Sequence, residues 1–107
     1  MTPATDPWAA LGDPTRRQVL RLVGSGTRSV TEIAAELPVS RPAVSQHLRI
    51  LADAGLVDAQ PDGRRRVYRV REQGLVRLRS ELHQFWTTTL DNLKEVAEHD
   101  DRDGDTT

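Results

Sequence analysis

The chain has 107 residues with 15 basic and 16 acidic side chains, a formal net charge of −1 and no cysteine. That length suits one domain with a modest core, and the lack of cysteine excludes disulfides, thiolate metal sites and thiol redox chemistry. No run approaches the roughly 18 apolar residues of a membrane span, and the opening MTPATDPW has neither the basic flank nor the apolar segment of a secretory signal, so a cytoplasmic protein is expected.

Residues 1–6 carry no periodicity and are expected to be a flexible N-terminus; a single domain over residues 7–99 should follow. Pro7 to Leu11 reads as a short helix. DPTRRQVLRLVGSG reads as a second, with Asp13 as N-cap, Pro14 at the first helical position, Val19, Leu20 and Val23 on its apolar face, and Gly24 or Gly26 ending it. SVTEIAAEL carries a capping box, in which Ser29 and Glu32 each satisfy the other's backbone amide, so a third helix starts there. Ile33, Ala34 and Leu37 form its buried side, and Pro38 stops it after barely two turns.

Ser40 caps a fourth helix that tolerates Pro42 in its first turn. Val44, Leu48 and Leu51 fall at i, i+4 and i+7, and Gly55 supplies a left-handed C-terminal residue. In LVDAQPDGRRRVYRV the period becomes two, with Asp62-Gly63 between extended runs, the signal of a β-hairpin with a basic tip. The helical period returns near Gly74 and Leu75, Leu78, Leu82, Phe85 or Trp86, Thr89 or Leu90, Leu93 and Val96 advance by threes and fours, predicting a helix over about residues 74–99. Residues 100–107 are expected to be a disordered acidic tail.

The expected fold is mainly α with a small β-hairpin, in the order α-α-α-α-β-β-α, the sequence of parts of a winged helix-turn-helix. In such a unit the second helix of the turn motif enters the DNA major groove. Here that helix, residues 40–54, leaves Ser40, Arg41, Ser45, Gln46 and Arg49 off its apolar stripe, and no Asp or Glu occurs from Val39 to Ala52. Carboxylates there would be repelled by phosphate, whereas these side chains can meet base edges or phosphate oxygens. Arg41 is suited to guanine O6 and N7 or to a phosphate, and Gln46 to adenine N6 and N7. His47 sits at the stripe's edge and suits either DNA contact or the rim of the core.

Charge is also divided unevenly along the chain. Residues 41–79 hold nine basic and four acidic side chains, while residues 80–107 hold two and eight. Arg64, Arg65 and Arg66 at the hairpin tip, within a wing spanning residues 61–66, would meet the flanking backbone or the minor groove. Strand side chains alternate, so not all three can point the same way. A charged tip that only keeps an edge strand from pairing with other proteins is the alternative. The apolar stripe of the last helix exceeds what a small domain needs and suggests a two-fold dimer through Leu78, Leu82, Phe85, Trp86, Leu90 and Leu93, with Trp8 and Leu11 beside them.

DPTRRQVLRLV, SVTEIAAEL, SRPAVSQHLRILADAGLV and GRRRVY together, in this order and spacing, resemble the ArsR/SmtB family of bacterial transcriptional repressors over about residues 7–71. The resemblance implies a homodimer that binds a palindromic operator in double-stranded DNA and lets go when an inducer binds. It also implies metal sites from which this chain departs: no cysteine lies near Val30 to Ile33, and although Glu81-x-His83 resembles half of a second site, Lys94 and Ala97 stand where its other half would fall. His83 and His99 with Glu81 and Glu95 form at most an unusual set, an ordinary solvated face being the simpler reading. No metal and no cofactor are therefore expected, and any inducer would be an unidentified small molecule.

An enzyme is not expected. There is no Gly-rich phosphate loop, nucleophile elbow or metalloprotease signature, and Ser45 and His47, two residues apart on a helix, point in different directions from any shared site with Asp53. A winged helix that binds protein rather than DNA is the remaining alternative, and the charge division argues against it.

Overall fold

A computed structural model describes residues 5–105. The elements are α1 (Pro7–Ala10), α2 (Pro14–Gly24), β1 (Arg28–Ser29), α3 (Val30–Glu36), α4 (Arg41–Asp53), β2 (Val57–Asp62), β3 (Arg65–Val70) and α5 (Glu72–Asp105). Most helix starts follow from their caps. Asp13 Oδ1 accepts from the Thr15 amide at 2.8 Å and the Arg16 amide at 3.2 Å. The Ser29 and Glu32 capping box is complete, and Ser40 Oγ accepts from the Ala43 amide at 3.3 Å. Such caps satisfy amides that have no partner within the helix and are each worth about 1 kcal/mol.

The chain divides into two compact units, Met1–Val76 and Arg77–Thr107, the second beginning within the long C-terminal helix that the sequence places over about residues 74–99. The core of the first is built from Val19 and Val23 of α2, Ile33 of α3, Val44, Leu48 and Leu51 of α4, then Leu56, Val57 and Val67. Ala10 of α1 closes it. The second unit is the greater part of α5, a lone helix whose own backbone hydrogen bonds supply its structure.

The sheet is three-stranded, not a bare hairpin: its order is β1-β3-β2, all antiparallel. Ser29 thus serves as a strand residue opposite Val67 and as the cap of α3. Pairing of Asp62 with Arg65 leaves Gly63 and Arg64 as the two loop residues, one position later than the Asp62-Gly63 pair suggested. Gly63 has φ +65°, and a glycine with positive φ at the first loop position is the pattern of a type II′ turn. The end of α2 also differs from expectation. Neither Gly24 nor Gly26 has positive φ; the Ser25 amide instead donates to the Arg21 and Leu22 carbonyls.

Gly55, with φ +78°, does take the left-handed conformation after α4. The chain then turns through Leu56, whose amide donates to the Leu51 carbonyl at 3.0 Å and whose carbonyl accepts from the Arg71 amide at 2.9 Å. These bonds bring the start of α5 against the end of α4. A Cβ on Gly74 would stand 2.0 Å from the Gly55 carbonyl oxygen, which explains a residue that costs helix stability in the first turns of α5.

At its far end α5 continues to Asp105, past the expected end near residue 99. No proline or capping sequence interrupts residues 100–105, and their backbone is helical, not the irregular tail expected. Residues 1–4 of the expected flexible N-terminus and residues 106–107 of the tail lie outside the described residues. Asp6 is ordered as the N-cap of α1, its Oδ1 accepting from the Trp8 amide at 3.2 Å. Among the described residues no helix is long and apolar enough to cross a membrane.

Gly74→Ala should destabilise the protein by about 1–3 kcal/mol, the range for overpacking against atoms that cannot yield. A chemical denaturation midpoint equal to that of the wild type would show that the approach of the two backbones is not tight.

Candidate nucleic-acid interface

Successive helical residues are rotated by about 100°, so one stripe committed to the core decides what the other faces present. In α4 that stripe is Val44, Leu48 and Leu51, all fully buried. Arg41, Ser45, Gln46 and Arg49 are exposed as the sequence predicts, joined by Pro42 and, in the last turn, by Asp53. Ser40 is exposed too; its oxygen is engaged in the cap, while its hydroxyl proton remains able to donate.

His47 does not join this strip. It is half-buried, like Ala43 and Ile50 along the same margin, and its Nδ1 is buried without a hydrogen-bond partner among the described residues. Its position is near Asp13, whose carboxyl it influences. The rotation along the helix, not the residue type, removes His47 from the exposed set.

The hairpin formed by β2 and β3 has two different halves. Near its base, Val57 and Val67 are buried; beyond them, residues 59–66 are exposed on both faces. An arm that buries nothing adds little to stability, because an isolated two-stranded ribbon is marginal in water. Arg64, Arg65 and Arg66 all lie in this exposed part but differ in their partners. Arg65 Nη1 donates to Glu32 Oε1 at 2.9 Å, and its Nη2 lies 3.2 Å from Asp62 Oδ2. Among the described residues no ion pair involves Arg41, Arg49, Arg64 or Arg66.

Glu32 was legible in the sequence as half of a capping box, but its second partner was not. The Ser29 amide and hydroxyl, followed by the Arg65 and Arg28 cations, hold its carboxyl below the ordinary glutamate value. The Arg16 amide does the same for Asp13 against a smaller opposing effect of burial, assisted by the Thr15 amide, the Arg16 guanidinium and His47.

Of the residues expected at a self-association surface, Trp8 is exposed and Leu11 half-buried in the first unit. In α5 Leu78 is half-buried, while Leu82, Phe85, Trp86, Leu90 and Leu93 are all exposed, and Val96 continues their line. Phe85 and Trp86 meet edge to face with ring centroids 5.8 Å apart. His83 and Glu95 are exposed, as is Glu81, and the His99 side chain lies outside the described part. Among the described residues no three His, Cys, Asp or Glu side chains are grouped so as to hold a metal ion.

The family model described as "Bacterial regulatory protein, arsR family" matches residues 13–59, from the cap of α2 into β2. The HTH-type transcriptional regulator Rv2034 of Mycobacterium tuberculosis is 46% identical over 100 residues, covering 94% of this chain and 91% of its own. The chain belongs to the ArsR family. A crystal structure described as a possible transcriptional regulator for arsenical resistance superposes on this ArsR-family protein with a TM-score of 0.74 at 46% identity, over 84% of this chain and 94% of that one. A solution structure from Mycobacterium bovis, described as a homodimeric winged helix-turn-helix DNA-binding domain, matches with a TM-score of 0.61 at 30% identity, over 74% and 73% of the two chains. The present member is accordingly a transcriptional regulator with a DNA-binding winged helix-turn-helix fold, in a family of regulators and not of enzymes.

The lowered carboxyls set the direction of an acid response. A group whose pKa is depressed in the folded state contributes stability that is complete above its unfolded value and lost as pH falls through the folded one. Stability should therefore decline on acidification through and below the ordinary carboxylate range, and Glu32→Gln should flatten part of that decline. Thermal melts of both proteins across this range would check it; parallel pH profiles would remove Glu32 as a contributor.

Proposed function

We propose that this ArsR-family protein is a cytoplasmic, homodimeric repressor of its own or neighbouring genes that binds a palindromic operator. The observation that carries the reading is the exposed face of α4: Arg41, Ser45, Gln46 and Arg49, the two arginines without an ion pair among the described residues, and no carboxylate in α4 before Asp53. In this reading α4 lies in the major groove. Arg41 and Gln46 read guanine and adenine edges, Ser40, Ser45 and Arg49 contact bases or phosphates, and Arg64 and Arg66 of the wing meet the flanking backbone or minor groove. His47 acts from the margin, holding α4 in place and not reading bases.

One short recognition helix covers too few base pairs for useful specificity, so two half-sites about one helical turn or a multiple apart are needed. The exposed stripe of α5, from Leu82 to Val96, supplies an apolar surface for the second copy. The homodimeric Mycobacterium bovis relative supports that assignment. The inducer in this reading is a small molecule rather than a metal, because Lys94 and Ala97 occupy the positions where a second pair of ligands would be required.

Replacing Arg41 or Gln46 with Ala should cost about 1–3 kcal/mol on the preferred operator and relax base preference at one position per half-site. Replacing Arg64 or Arg66 should weaken all sequences alike and reduce the slope of log affinity against log salt by roughly one per lost phosphate contact. Fluorescence anisotropy on footprinted upstream DNA and on random duplex separates these effects. Equal, undetectable binding to both at low salt would falsify the DNA reading in favour of a protein partner.

Sedimentation at micromolar concentration should give twice the 12.0 kDa chain mass. Trp86→Ala should weaken self-association by about 30-fold, the consequence of losing an aromatic anchor worth about 2 kcal/mol. A wild-type protein that sediments as a monomer would remove the two-fold operator with it.

A further inference from the structure

The three wing arginines are not equivalent, and the arm that carries them is poorly anchored. Residues 59–66 are exposed on both faces. The Arg69 to Asp58 pair and the Arg65 to Asp62 pair both close within the hairpin. Among the described residues, the only side-chain hydrogen bond or ion pair joining this stretch to another element runs from Arg65 to Glu32 of α3. It spans 33 positions of sequence at 2.9 Å. Glu32 is itself fixed, because its carboxylate also accepts from the Ser29 amide at 3.2 Å.

From this we infer that Arg65 is a positioning residue of the wing and not one of its DNA contacts. Held between Glu32 and Asp62, its guanidinium fixes the arm relative to the first helix of the turn motif. Its single positive charge also offsets part of the charge of two carboxylates that would otherwise repel phosphate, leaving Arg64 and Arg66 as the wing's free cations. The inference rests on the DNA-binding reading above and assigns a different role to one residue within it.

The sign of a single effect tests it. Glu32→Gln keeps an acceptor suited to the capping box, so the fold is retained, but it removes the charge that holds Arg65. If Arg65 positions the arm, operator affinity falls roughly two- to five-fold, the range set by a partly exposed ion pair, although a negative charge has been deleted. If Arg65 is instead a phosphate ligand for which Glu32 competes, affinity rises and the salt slope steepens by roughly one, and the inference is overturned.

Arg65→Ala provides the second arm. It should lower affinity by a similar factor with the salt slope unchanged, while Arg65→Lys, which can still pair with Glu32, recovers most of the loss. A slope reduced by roughly one in Arg65→Ala, as expected for Arg64→Ala or Arg66→Ala, would overturn the assignment while leaving DNA binding intact. A wild type that binds no DNA would defeat the underlying reading instead, so the two failures are distinguishable.

Discussion

Burial of three side chains on α4 governs the arrangement of the whole first unit. A helix of 13 residues can commit one stripe to a core, and Val44, Leu48 and Leu51 make that commitment in a core that also holds Val19, Val23 and Ile33, with α4 packed on α2 and α3. Each fully buried aliphatic side chain gains about 1.5–3 kcal/mol over leaving it in water, far more than any surface contact of the same helix. The orientation of Arg41, Ser45, Gln46 and Arg49 is therefore a by-product of core packing. Those four need no stabilising partners to face solvent. His47 marks the boundary of the same rule, since the rotation that exposes Gln46 turns the next residue towards the margin near Asp13.

The wing obeys a different rule. Its outer half buries nothing, so neither hydrophobic packing nor the ladder alone gives it a fixed place relative to the helices. Pairing of β1 with β3 anchors only the base, at Val67 and Tyr68. Beyond that point orientation depends on exposed ion pairs, which are weak in free energy but specific in geometry, above all when a guanidinium is held between two carboxylates. The outer arm is thus weakly held but has a defined mean position.

What the sequence disclosed divides by range. The caps at Asp13, Ser29 and Ser40, the left-handed Gly55 and the apolar stripe of α4 were readable because each is decided within a few residues of chain. The hairpin was readable, but its loop was displaced by one position, since Asp62-Gly63 and Gly63-Arg64 are both plausible turns and cross-strand pairing of Asp62 with Arg65 decides between them. Strand β1 was not legible: two residues, Arg28 and Ser29, have no period, and one of them already reads as a helix cap. The contact of Gly74 with Gly55 and the Arg65 to Glu32 pair depend on segments meeting in space, which no local pattern records. The side chains of α4 expected off its apolar stripe are all exposed, and His47, placed at the stripe's edge by the same pattern, is half-buried.

A protein with net charge −1 that presents a cationic surface must dispose of its carboxylates, and the ion pairs of the first unit show how. Asp13 is engaged by Arg16, Glu36 by Arg28, Asp58 by Arg69, and both Glu32 and Asp62 by Arg65. Those at the surface, of Arg65 and Arg69, need not add much stability. The effect of the pairs is on the local potential: four guanidiniums offset most of the charge of five carboxylates that would oppose a polyanion within a Debye length of about 8 Å. Among the described residues, Arg41, Arg49, Arg64 and Arg66 remain uncompensated by any ion pair. Much of the chain's remaining negative charge is carried by α5 and its end, where residues 80–107 hold eight acidic and two basic side chains. Global neutrality and a locally cationic face are thus compatible, because acidic and basic side chains are divided unequally along the chain.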